Sequence, residues 1–190
     1  MLSHSDILRH INTGDILIDP LELQNIGPDS IDIRLGGKLL VARKTGRIID
    51  PRKSIEMEFD QYDIEKEPYA IKPGDFVLAT TLERIGLSNS ITGQLEGRSS
   101  IGRLGIIVHM TAGLIHAGWG YRQPATLTLE LSSVNPNPVY IYEGMKIAQM
   151  SFIKLTNPAE IGYDDNAHSK YSNQQGPVPS RLHREHYTRK

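Results

Sequence analysis

The stretch "ATLTLELSS" (residues 125–133) decides the fold. In an extended chain, successive side chains point to opposite faces. Ala125, Leu127, Leu129 and Leu131 therefore share one face, and Thr126, Thr128, Glu130 and Ser132 share the other. The apolar set belongs in a core, so the segment reads as a strand with one wet side. Glu130 stands on that wet side among hydroxyl groups. From periodicity alone it is an ordinary solvent-facing residue, although Glu is mildly depleted in strands.

The same period of two runs through most of the chain. Residues 30–36, 38–43, 54–60, 75–83, 91–97, 138–142 and 146–155 all read as strands. Turn signals separate them: "DPR" at 50–52, "KPGD" at 72–75, "NPNP" at 135–138 and "EGM" at 143–145. The exception is residues 3–13, where Ile7, Leu8 and Ile11 recur at helical spacing. Ser3 or Ser5 can cap that helix and Gly14 can end it. Many short strands closed by Gly, Pro and Asn turns predict an all-β sandwich or barrel with a short N-terminal helix. Residues 1–180 are expected to form one domain, and the basic end "RLHREHYTRK" (181–190) a flexible tail.

Composition narrows the function. The 190 residues are 38% apolar and 23% charged, which suits a folded domain with a sizeable core. A formal net charge of −1 supplies no global field toward nucleic acid or an anionic membrane, so neither is an expected partner. An anionic ligand must be held by local groups. The absence of cysteine excludes a disulfide framework and a Cys-ligated metal, and no His-Glu-x-x-His pattern offers zinc another home. Without a membrane-length apolar run or the long apolar core of a signal peptide, a cytoplasmic location is expected.

Three segments carry groups suited to chemistry. In "EGRSSIGRLGIIVHMTAG" (96–113), Ser99 or Ser100 can cap a short helical turn, with Arg98 and Arg103 beside it. Guanidinium forks there suit phosphate, or pair with a structural carboxylate. His109 lies in an apolar run and reads as structural, whereas His116, in "GLIHAGW", adjoins a glycine-rich turn. "YDDNAHSKYSNQQG" (163–176) is either a polar tail or a lid that brings Lys170 to a phosphate.

Taken in order, "PDSIDIRLG", "EGRSSIGRLGIIVHMTAG", "IHAGW", "TLTLEL", "GMKIAQMSF" and "SKYSNQQG" resemble the dCTP deaminase family of the dUTPase-like superfamily, over most of the chain. The resemblance implies a distorted β-barrel or jelly-roll-like fold. It also implies a homotrimer with active sites between subunits and a Mg²⁺-bound nucleoside triphosphate as substrate. The implied reaction is hydrolytic deamination of dCTP to dUTP and ammonia without zinc. Alternatives within the fold are a bifunctional enzyme forming dUMP and diphosphate, a dUTPase alone, or a non-catalytic nucleotide-binding protein. Carried over by motif, Glu130 is the general acid/base, and Ser99 and Arg103 orient the cytosine and the attacking water. Arg98 meets phosphate, and the backbone at Thr111 and Ala112 reads the base edge. Tyr163, Lys170 and Gln174 belong to a C-terminal lid (157–180) over sugar and triphosphate.

Two features depart from the family pattern. His116 stands where the family has an aspartate that contacts the 3′-hydroxyl, and histidine offers no carboxylate. The segment "GYRQPA" (120–125) carries about four extra residues by that resemblance, in a place where a longer hairpin can absorb them.

Overall fold

The computed structural model describes residues 1–55 and 58–185. The helix forms where its spacing predicts it, as α1 (His4–Asn12). Ser3 caps it: its hydroxyl accepts from the Asp6 amide, and the Asp6 carboxylate accepts from the Ser3 amide at 3.2 Å. These two bonds satisfy orphan N–H groups of the first turn. Gly14 follows the last turn at φ +80°, a conformation glycine adopts without penalty.

The rest of the described chain is mostly strand. The strands are β1 (Ile16–Asp19), β2 (Ser30–Arg34), β3 (Lys38–Ala42), β4 (Phe59–Asp63), β5 (Tyr69–Ile71), β6 (Phe76–Thr80) and β7 (Arg84–Leu87). They continue as β8 (Ile91–Gly97), β9 (Ile106–Ile107), β10 (Leu114–Ile115), β11 (Thr128–Ser133), β12 (Val139–Ile141) and β13 (Lys146–Lys154). A single turn of helix, α2 (Ser99–Gly102), follows β8. One sheet has the order β10-β8-β13-β2 and the larger one β4-β3-β6-β11-β9; β1-β7 and β12-β5 form two-stranded sheets. The pairings among these strands are antiparallel. The sheets stay open and distorted, in keeping with the expected all-β class.

Both main sheets feed one core. Ile31 and Ile33 of β2, Leu95 of β8 and Met150 and Phe152 of β13 join Leu129 and Leu131 of β11 in a single buried cluster. Each such side chain contributes about 1.5–3 kcal/mol by leaving water. The alternation read in residues 125–133 is real: Leu129 and Leu131 are fully buried, and Thr128 and Glu130 are half-buried opposite them. Regular pairing begins later than expected, at Thr128, while Ala125 makes only an isolated bridge to Ile85.

Several expectations need correcting. The strand expected at 54–60 partly falls on residues outside the described set, and the observed β4 begins at Phe59 and runs on through polar residues. It lies at the edge of its sheet, where only one flank is paired. β1, β5, β7, β9 and β10 were not expected at all; each has four residues or fewer, too short for a period of two to declare itself.

Candidate functional site

A cavity of about 520 Å³ opens beside the polar face of β11. Glu130 enters it from β11, in register with Leu78 of β6. Its Oε2 accepts the Met110 amide at 3.1 Å, which fixes the carboxylate to the loop before β10. Ala112 and His116 line the cavity from that loop and its continuation, and Tyr163, Lys170 and Gln174 from the C-terminal segment. Thus six of the expected site residues meet around one space.

The C-terminal segment reaches the cavity through a close backbone approach. Gly118 has φ +81°, and a Cβ there would lie 2.4 Å from Cα of Gly162. Only glycine at 118 lets the two chains touch. Tyr163 then donates its amide to the Ala117 carbonyl at 2.8 Å. Its ring stacks parallel to His116, centroids 5.9 Å apart, and tilts against Trp119 at 5.0 Å. Burial pushes the Tyr163 phenol above its ordinary value. His116 therefore presents a flat, stacked imidazole where the family pattern has a carboxylate.

Farther along, the segment is tied to β11. Gln174 is buried, and its Nε2 donates to the Thr128 hydroxyl at 2.7 Å and the Thr126 carbonyl at 3.1 Å. The Gln174 carbonyl accepts the Thr126 amide, and the Gly176 amide donates to Thr126 Oγ1 at 2.9 Å. The Gln174 side chain thus ties to β11 the segment that the resemblance places over sugar and triphosphate. The extra loop helps: Arg122 pairs with Asp165 at 2.7 Å, and Gln175 Nε2 donates to the Pro124 carbonyl. In the same turn both Asp164 carboxylate oxygens are buried, and that burial holds the carboxyl above the ordinary range.

The remaining expected residues do not line this cavity. Ser99 and Arg103 sit on α2 and just beyond it, exposed, with no side-chain partner among the described residues. The helix-capping expectation is corrected here: neither Ser99 nor Ser100 is the cap, because the turn starts one residue earlier, with Arg98 at the N-cap. Arg98 is drawn to a carboxylate, its Nε pairing with Asp32 at 3.0 Å and its terminal nitrogen donating to the Lys146 carbonyl at 3.1 Å. Asp32 also pairs with Lys146 at 3.2 Å. Thr111 is exposed beside Ala112. His109 lies near Glu96 at 3.6 Å, away from the cavity.

Sequence reasoning passed over Trp119, Tyr171 and Thr128, which also line the space. Trp119 carried one usable signal, as the sole tryptophan of the chain, three residues after His116. Thr128 carried none beyond its place on the wet face.

Among the described residues, no group of three or more His, Asp or Glu side chains is placed to hold a metal ion. No helix among them is long and apolar enough to cross a membrane.

The open antiparallel sheets and the carboxylate-bearing cavity define an all-β protein with a pocket beside one sheet. A solved structure of 2′-deoxycytidine 5′-triphosphate deaminase from Agrobacterium tumefaciens matches with a TM-score of 0.62, over 80% of this chain and 45% of that one. At 20% identity that likeness is one of fold, and this chain spans under half the length of that protein. The model of the dCTP deaminase-like family matches residues 1–155, and the chain belongs to that family. It is 43% identical over 187 residues to the "dCTP deaminase, dUMP-forming" of Dictyoglomus thermophilum, covering 96% of this chain and 94% of the relative. The protein of the same name from Halobacterium salinarum is 42% identical over 191 residues, with 96% and 94% covered.

Proposed function

We propose that this chain is a cytoplasmic dCTP deaminase that carries its product on to dUMP and diphosphate. The observation that carries the reading is Glu130: a carboxylate held by the Met110 amide inside a cavity that Lys170 also lines. Water adds to C4 of the cytosine and gives one proton to N3; the new C4 hydroxyl gives its remaining proton to the amino group, which leaves as ammonia while C4=O forms. A carboxylate between water and N3 can move those protons. Ser99 and Arg103 orient water and base, Arg98 meets phosphate, and the backbone at Thr111 and Ala112 reads the base edge. Tyr163, Lys170 and Gln174 close over sugar and triphosphate. A second water then attacks the α-phosphorus and diphosphate departs. The names of the relatives support this second step over arrest at dUTP.

Ser99 and Arg103 serve this chemistry from a second copy of the chain. They are exposed and unpartnered, and Leu104, Ile107, Met110 and Leu114 near them in sequence are 40–51% exposed, apolar surface that a neighbouring subunit would cover. A homotrimer with sites between subunits fits. Mg²⁺ would enter on the triphosphate: among the described lining residues Glu130 is the one carboxylate, too few oxygen ligands for the ion unless phosphate and water supply the rest. Its chemistry there is charge neutralisation. Incubation with dCTP and Mg²⁺ followed by chromatography tests the reading. Ammonia, dUMP and diphosphate are expected; dUTP as the end product would remove the second step, and no turnover would remove the whole reading.

A further inference from the structure

Lys170 already holds an anion that the chain itself supplies. Its ammonium donates to the Glu185 carboxylate, with the two side chains 28% and 46% exposed. Glu185 is not delivered there by chance of a loose end. Arg181 donates its amide to the Tyr171 hydroxyl at 3.1 Å and its guanidinium to the Lys170 carbonyl at 2.6 Å, while the guanidinium also lies 5.7 Å over the Tyr171 ring. A 3-10 turn (Leu182–Arg184) then returns the chain, and the Glu185 amide donates to the Leu182 carbonyl at 2.9 Å. Upstream, the Val178 amide is bonded to Thr128 Oγ1 at 3.2 Å, and Val178 and Ser180 line the Glu130 cavity. Residues 178–185 thus run from the cavity rim to a carboxylate on its lysine; 181–185, expected as the start of a flexible tail, are held by these bonds, and 186–190 lie outside the described residues.

We propose that Glu185 is an internal competitor for the anion site at Lys170, an autoinhibitory contact that an incoming phosphate group must displace. The identity of that group as the phosphate chain of a nucleotide rests on the function proposed above. A phosphate oxygen and a carboxylate oxygen on one ammonium would stand only a few ångströms apart, and two such negative charges repel. Each anion therefore weakens the other's hold on Lys170. Because the pair is partly exposed, its removal is worth about a two- to five-fold gain in affinity for a competing anion.

Inorganic diphosphate is the probe, titrated calorimetrically into the full-length protein and into Glu185→Gln, Lys170→Gln and the double variant. Glu185→Gln should bind diphosphate about two- to five-fold more tightly than the unaltered chain. In the Lys170→Gln background the second change should do nothing, which separates a contact on Lys170 from a general loss of negative charge. An equal or weaker affinity in Glu185→Gln, undetectable diphosphate binding to it, or a gain that persists without Lys170 overturns the proposal. Glu185→Asp, which keeps the charge and shortens its reach, supplies a second folded variant, and its affinity should fall between the two. Failure of the unaltered chain to deaminate dCTP would instead count against the proposed reaction, because the diphosphate titration does not depend on it.

Discussion

Two regions that the proposed function brings together are built by opposite rules. The Glu130 wall is finished within one chain: its carboxylate is bonded to Met110, its lid is sewn to β11 through Gln174, and its aromatic groups stack on one another. The Ser99 region is a single short turn whose serine and arginine are exposed and have no side-chain hydrogen bond or ion pair among the described residues. On the proposed function, these polar groups and the exposed apolar side chains near them in sequence form a face for a neighbouring copy. The difference suggests that the chain prepares binding by itself and assembles the reacting constellation only with a second copy.

The largest effect should come from Glu130→Gln. Loss of the proton shuttle should lower kcat by about 10²- to 10⁴-fold while calorimetry still detects dCTP binding. Retained turnover would remove Glu130 from the chemistry. Arg103→Ala should also cost kcat heavily, but the unfolding midpoint should move little, because the exposed side chain has no hydrogen bond or ion pair among the described residues. A clear loss of monomer stability would mean that the exposed region has a structural role instead.

Gly118→Ala tests the finished wall by undocking the lid. The added methyl meets Cα of Gly162 at a φ that L side chains rarely adopt, so about 1–3 kcal/mol of strain is expected in urea unfolding, together with a raised KM. An unchanged KM would show that the lid does not depend on this approach.

The smallest effect concerns Asp164. Burial raises its carboxyl above the unfolded value of 3.8, so the folded chain holds that proton more tightly than the unfolded chain does. The stability this gives is complete below that value and is lost as pH rises through the folded pKa. Asp164→Asn should therefore raise the unfolding midpoint slightly at neutral pH, and the advantage should shrink as pH falls toward 4. A constant advantage at every pH would place the cause elsewhere.

The contrast between the two regions also explains what was legible in sequence. Leu127, Leu129 and Leu131 declared the buried face of β11 and, by elimination, the side on which Glu130 stands, because strand geometry fixes both together. "RIGL" of β7 and the two-residue β9 and β10 stayed hidden, since pairing partners rather than local pattern make them strands. The motif segments announced Ser99, Arg103, Lys170 and Gln174. Their allegiances depend on contacts remote in sequence: Arg98 on Asp32, Gln174 on Thr128, Lys170 on Glu185. No spacing encodes such partners. Nor does one chain's pattern reveal that Glu130 lines the cavity and Ser99 does not.

Subunit complementation tests the divided site most directly. Glu130→Gln and Arg103→Ala chains, each inactive alone, are co-expressed and the mixed assemblies purified. A site that draws Arg103 from one copy and Glu130 from another finds both intact in about a quarter of random pairings, so about a quarter of normal dCTP turnover should return. Mixtures as inactive as their components would contradict a site shared between copies.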